Sequence, residues 1–161
     1  DQVEYLSEVS AVQKEAFGDL RQYLESRKSL LASTPSTRPT SGWISSGFGY
    51  RKSPFTGRRE FHQGMDIATR RGTPVVAPAD GTITFVGRKG GLGNAMVIDH
   101  GHGFVTRYGH LKKCVVERGA CVKRGDKIAL VGNSGRTTAP HLHYEVRLNG
   151  LPVNPKKYIL Q

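Results

Sequence analysis

Between Leu6 and Leu30 the positions Leu6, Val9, Gln13, Ala16, Leu20, Tyr23, Arg27 and Leu30 alternate three and four residues apart, with Phe17 and Leu24 widening the stripe. That spacing is the seam of a helix or coiled coil and predicts a helical segment over residues 1–32. Two polar residues in so short a seam argue against an isolated coiled coil; the segment reads as the end of a longer helix or as one that packs on a neighbour. The period breaks at Ser33-Thr34-Pro35-Ser36-Thr37-Arg38-Pro39, where small polar residues and proline mark a linker, set at residues 33–37. From residue 38 to 161 short β-branched runs separated by glycine replace it: Gly81–Gly87, Asn94–Asp99, Phe104–Tyr108, Lys127–Val131 and His141–Val146. Many short strands with tight turns predict a mainly β domain, an antiparallel sheet that folds over or partly closes into a barrel, behind an N-terminal α-helix. Gly90-Gly91-Leu92-Gly93 lies between two predicted strands without the helix that a phosphate cradle needs, and reads as a hairpin turn.

Composition narrows the partners. The 161 residues carry 24 Lys and Arg against 13 Asp and Glu, a net charge of +11. The helical segment is slightly acidic, so the excess belongs to the β domain, whose field would attract a polyanion. The bases fall in scattered doublets such as Arg58-Arg59, Arg70-Arg71 and Lys123-Arg124 rather than on one helix face, which disfavours nucleic acid as a partner. No run approaches the roughly 18 apolar residues of a transmembrane segment. Asp1-Gln2-Val3-Glu4 lacks the layout of a secretory signal, so the segment reads as a mature or truncated product.

All six histidines lie between residues 62 and 143. Histidine is the commonest transition-metal ligand and titrates nearest neutrality, so the cluster suggests a metal site, acid/base chemistry, or both. In His62-Gln63-Gly64-Met65-Asp66 a straight strand would hold the two outer side chains about 13 Å apart, too far for one ion. Only a bent chain joins them, and Gly64 is expected to give the bend its freedom. In His141-Leu142-His143 the imidazoles share a strand face about 7 Å apart. Both could bind one ion, or one could bind while the other acts beside it. His110 closes the strand Phe104–Tyr108, while His100 and His102 flank Gly101 in a turn and are expected to meet water. Ser134 reads as a loop residue, since no helix follows it to make a nucleophile elbow.

Taken together, Ser46-Gly47-Phe48-Gly49-Tyr50-Arg51, His62-Gln63-Gly64-Met65-Asp66-Ile67-Ala68, Gly72-Thr73-Pro74, Tyr108-Gly109-His110-Leu111, Val131-Gly132-Asn133-Ser134-Gly135 and His141-Leu142-His143-Tyr144-Glu145 resemble the lysostaphin-type (LytM-like) zinc endopeptidases, from about Arg38 to Pro155. The resemblance implies a compact antiparallel β domain with a groove over a Zn2+ ion. By position it places the zinc ligands on His62, Asp66 and His143 and the paired catalytic histidines on His110 and His141. Two imidazoles and a carboxylate leave the fourth position of a catalytic zinc open for water. The implied substrate is the peptide part of bacterial peptidoglycan. The preceding helix resembles the coiled-coil region of envelope members, implying the cell envelope, periplasmic in a Gram-negative cell, with a secreted or wall-associated protein as the alternative, and a possible protein partner for the helix.

Two rival readings accompany this one. Some relatives have lost zinc ligands and activate other wall hydrolases; here all five site positions hold suitable residues. A histidine phosphocarrier would explain a histidine pair but not His62 with Asp66. One further expectation concerns Cys114 and Cys121: a two-residue turn at Glu117-Arg118 would set them opposite each other, and an oxidising envelope would permit a disulfide, the alternative being two free buried thiols.

Overall fold

The computed structural model describes residues 1–160. It divides into two units, residues 1–32 and 33–161. Residues 2–32 of the first belong to α1, Gln2–Ser33, one continuous helix. Its Leu6, Phe17, Leu20, Tyr23 and Leu24 are exposed, and Arg21 and Glu25 form an ion pair one turn apart on its surface. No helix among the described residues is long and apolar enough to cross a membrane.

The described residues of the second unit form thirteen strands: β1 Trp43–Ser46, β2 Gly49–Lys52, β3 Arg59–His62, β4 Met65–Ala68, β5 Pro74–Val76, β6 Gly81–Arg88, β7 Asn94–Gly101, β8 Phe104–Gly109, β9 Leu111–Cys114, β10 Cys121–Val122, β11 Lys127–Val131, β12 His141–Leu148 and β13 Leu151–Val153. The five β-branched runs of the sequence are β6, β7, β8, β11 and β12. The main sheet runs β1-β4-β12-β8-β7-β6-β10, with β13 beside β12; β5-β11-β9 and β2-β3 form two smaller sheets. Every pairing is antiparallel, as alternation with tight turns predicts. The sheet is open, with β1 and β10 as its edges, so no barrel closes.

Period-two alternation decides what faces the core. On β12, Leu142, Tyr144 and Val146 are fully buried, joined by Met65 and Ile67 of β4, Ile98 of β7 and Tyr108 of β8, while Val75, Ile128 and Val131 fill the space from the three-stranded sheet. The same alternation turns His141, His143 and Glu145 to the opposite face of β12. Register then sets their neighbours: His143 lies opposite Asp66 on β4 and opposite Gly109 on β8.

Residues 34–37 are bonded to the β unit: Thr37 N–H donates to Pro78 O, Leu160 N–H to Ser36 O, and the Arg124 guanidinium reaches Ser36 Oγ and Thr34 O.

Two local expectations are corrected. Cys114 ends β9 in the three-stranded sheet, whereas Cys121 begins β10 and pairs with Thr82 of β6. The turn at 117–120 is held by Gly119 N–H on Ile83 O and Ala120 N–H on Glu117 O, so the chain crosses between sheets instead of folding back, and both thiols are free. His100 is not a turn residue in water. It lies in β7, buried, with Nδ1–H donating to Asp80 O (2.7 Å) and Nε2 accepting from the Thr106 hydroxyl (2.7 Å), which in turn takes a bond from Tyr108 Oη (2.8 Å). Only His102 sits at the turn tip, exposed and with φ of 50°.

Burial holds the His100 imidazole below its ordinary value of 6.5, against the opposing bond to Asp80 O. The folded chain thus binds this proton less readily than the unfolded chain does. Its contribution to stability is complete above pH 6.5 and erodes as the pH falls from there through the folded value. In chelator-treated protein the thermal midpoint should fall between pH 7 and pH 5, and His100→Gln should flatten that slope; equal slopes for the two proteins would exclude His100 as a source.

Candidate metal centre

The bend between His62 and Asp66 comes from a change of sheet. β3 pairs with β2, whereas β4 pairs with β1 and β12, so the chain turns at Gln63-Gly64 and brings both side chains to one point. Gly64 does not adopt a left-handed conformation. Its requirement is for space: an added Cβ would stand 2.5 Å from Tyr144 O, 2.9 Å from Glu145 Cγ and 3.1 Å from His143 Cε1. The glycine lets this corner lie directly against β12.

There His62, Asp66 and His143, all buried, each offer one ligand atom, and the three atoms lie within 4.8 Å of one another. Asp66 Oδ1 is 3.2 Å from His62 Nε2 and 2.9 Å from His143 Nδ1, and those two nitrogens are 3.2 Å apart. Backbone carbonyls fix the tautomers, because a carbonyl can only accept. Nδ1–H of His62 donates to Gly47 O (2.8 Å), that of His110 to Ser134 O (2.7 Å) and that of His141 to Ala139 O (2.8 Å). Each of these imidazoles thereby keeps the lone pair of Nε2 free. His143 is turned the other way, with Nε2–H on Glu145 Oε1 (3.0 Å) and Nδ1 toward Asp66.

Each member of the cluster is held from behind. Arg51 donates to Asp66 Oδ2 (2.9 Å), Ser46 Oγ (2.7 Å) and Glu60 Oε1 (2.9 Å), which leaves Oδ1 facing the histidines. Arg147 donates to Glu145 Oε2 (3.1 Å). Burial alone would raise Asp66, but a hydrogen bond from His143, and one from His62 once its Nε2 takes up a proton, hold its carboxyl well below the usual carboxylate range. Burial likewise works against charge on His143, yet Asp66 and Glu145 outweigh it and push its pKa up to about 9. A metal at Nδ1 must displace that proton, so affinity would weaken as pH falls. The donor set suits a divalent transition ion: His62 Nε2, Asp66 Oδ1 and His143 Nδ1 converge, and Glu145 on the far side of the His143 ring holds Nε2–H so that Nδ1, once deprotonated, turns its lone pair to the same point.

His110 and His141 stand beside this cluster, their rings 4.6 Å apart, and His141 Nε2 is 3.7 Å from Asp66 Oδ1. His110 has φ of 59°, a conformation held by its N–H on Leu92 O (2.7 Å). Burial lowers its pKa, so the neutral base is the favoured form. All five residues line one cleft together with Trp43, Phe55 and Arg136. His100 and His102 are outside it.

Sequence reading assigned no role to Arg51, Glu145 or the carbonyls of Gly47, Ser134 and Ala139. Glu145 carried a usable signal, lying two residues after His143 on the same strand face. Arg51 and the carbonyls carried none, since they reach the site from loops and from the separate β2-β3 sheet.

An open antiparallel β domain with one His/Asp cluster at the floor of a cleft and two further imidazoles beside it is the build of a single-metal hydrolase. The sequence pattern of Peptidase family M23 matches residues 60–155, more than half of the chain, including His62, Asp66, His110, His141 and His143, and the chain belongs to that family. It is similar to the DD-carboxypeptidase/endopeptidase Mpg of Neisseria meningitidis serogroup B, 54% identical over 112 residues, which cover 70% of this chain and 26% of that protein. The peptidoglycan DD-endopeptidase ShyB of Vibrio cholerae is 48% identical over 115 residues, 71% of this chain and 27% of its own length. In structure, a zinc-containing peptidase from Vibrio cholerae matches with a TM-score of 0.69 at 45% identity, over 74% of this chain and 38% of that one. The chain spans about a quarter of the length of these curated relatives.

Proposed function

We propose that this chain is a zinc-dependent endopeptidase that hydrolyses the peptide cross-links of bacterial peptidoglycan and acts in the cell envelope, in the periplasm of a Gram-negative cell. The observation that carries the reading is the convergence of His62 Nε2, Asp66 Oδ1 and His143 Nδ1 within 4.8 Å at the floor of the cleft. The names of its relatives and its family support it. In this reading those three residues hold the ion, which when bound supplies a Lewis acid and lowers the pKa of a water. His110 and His141 do the proton work. Each has its Nδ1–H tied to a carbonyl, so a proton accepted at Nε2 is held at a fixed position and can be returned to the leaving amine, or its N–H can stabilise an oxyanion. Arg51 and Glu145 orient Asp66 and His143. All five positions carry competent side chains, which disfavours a catalytically inactive activator of other hydrolases.

The test is digestion of purified peptidoglycan with identification of the fragments by mass. Cleavage at stem-peptide cross-links, lost with a chelator and restored by zinc, is expected. A chain that binds about one zinc and leaves the cross-links intact would refute the activity, and one that binds none would refute the centre.

The peptidase unit is assigned to residues 38–161, with the helix left to regulation or partner binding. A chain beginning at Arg38 should keep the β circular dichroism spectrum and its hydrolysis. Its thermal midpoint should be lower than that of a chain beginning at Ser33, which keeps the bonds of Thr34, Ser36 and Thr37 to the β unit. An unfolded Arg38 chain beside a folded full chain would place the boundary earlier.

A further inference from the structure

Arg136 stands in the loop between β11 and β12 and lines the same cleft as His110 and His141. Its guanidinium lies 4.3 Å from the centre of the Phe55 ring, which comes from the loop joining β2 and β3. The backbone beneath it is fixed. Arg136 N–H donates to Gly91 O (2.8 Å), and the Ser134 hydroxyl accepts from Asn94 N–H (3.0 Å) and donates to Leu111 O (2.7 Å). Gly135, with φ of 77°, lies so close to Gly91 and Gly93 that a Cβ would overlap their backbone. The carbonyl of Ser134, two residues before Arg136, is the one that holds His110. One rigid segment therefore carries a proton-handling imidazole and a cation.

The charge of that cation is not balanced within the cleft. The two carboxylates lining it, Glu60 and Asp66, are both engaged by Arg51, and Arg136 forms no ion pair among the described residues. A guanidinium held over an aromatic ring keeps N–H groups for a further partner, and a pair of them matches a carboxylate in two parallel hydrogen bonds.

We infer that Arg136 is a substrate-binding residue that recognises a carboxylate of the peptide on the His110 side of the scissile bond. The inference rests on the peptidase reading above and adds to it a feature the substrate must have, a free carboxylate, from either a terminal α-carboxyl or an acidic side chain.

The experiment uses the full chain and a synthetic dimer of cross-linked stem peptides in three forms: all carboxylates free, the α-carboxylate amidated, and the side-chain carboxylate amidated. The wild-type protein should lose about tenfold in kcat/KM on one of the amidated dimers, which identifies the carboxylate recognised. Arg136→Gln should lose about as much on the free dimer, mostly through KM, keep its zinc, and no longer distinguish that amide. Lys89→Gln, which removes a charge outside the cleft, should behave as wild type and so separate a site from the general basic field. If Arg136→Gln discriminates as wild type does, or if wild type cleaves all three dimers equally, the inference is overturned while the peptidase reading stands. If zinc-loaded wild type cleaves none of them, the peptidase reading fails and takes this inference with it.

Discussion

Replacing His143 by Ala is expected to remove most of the bound zinc together with hydrolysis, whereas replacing His110 or His141 by Ala should leave the metal in place and slow turnover by about 10²-fold or more. The distinction follows from where the lone pairs point. His143 Nδ1 and Asp66 Oδ1 are 2.9 Å apart, and both are within 3.2 Å of His62 Nε2, so deleting His143 leaves only two protein donors. His141 Nε2 stands off at 3.7 Å from the same carboxylate oxygen, its ring lying beside that of His110, 4.6 Å away and inclined to it by 55°. Zinc by elemental analysis and cross-link cleavage should be measured on the same preparations. His102→Ala, at an exposed turn tip, serves as the control and should change neither. Loss of zinc in the His141 variant with retention in the His143 variant would exchange the roles of the two, and full activity in all of them would end the enzymatic reading.

A second large effect is expected from one methyl group. Gly64→Ala places a Cβ 2.5 Å from the backbone oxygen of Tyr144, an atom fixed by strand pairing between β4 and β12, and 3.1 Å from the His143 ring. Neither β4 nor β12 can yield without moving a ligand, since Asp66 and His143 face each other across that pair. The variant should lose about 3 kcal/mol of stability by urea unfolding, at the upper end of the cost of forcing extra volume into a packed site. It should also bind zinc more weakly. A variant with the wild-type urea midpoint and zinc affinity would show that the corner relaxes freely, and would return Gly64 to the role of a flexible bend. Gly49, with φ of 116° and open space around it, marks the contrast: there a side chain has room and the backbone conformation is the constraint.

Periodicity along the chain was enough to separate the helix from the strands. The three-and-four spacing up to Leu30 and the β-branched runs at β6, β7, β8, β11 and β12 are local signals, written within single elements. The i, i+2 relation of His141 and His143 is of the same kind, and so, in hindsight, is Glu145. The motif set carried the family by resemblance, since its order and spacing are properties of the chain. What the sequence could not decide is every relation between elements that are not adjacent along it. Cys114 and Cys121 are seven residues apart, yet they belong to different sheets because Gly119 and Ala120 of the loop between them bond to the backbone of Ile83 in β6. His100 is buried because β7 turns it toward Thr106 and Asp80 O, a matter of which face packs inward. Gly64 is needed for the closeness of β12, about eighty residues on, and Arg51 meets Asp66 only because β2 comes to stand beside β4. Strand pairing over long separations fixes register, register fixes which side chains share a point in space, and the chemistry of the cleft depends on that last step.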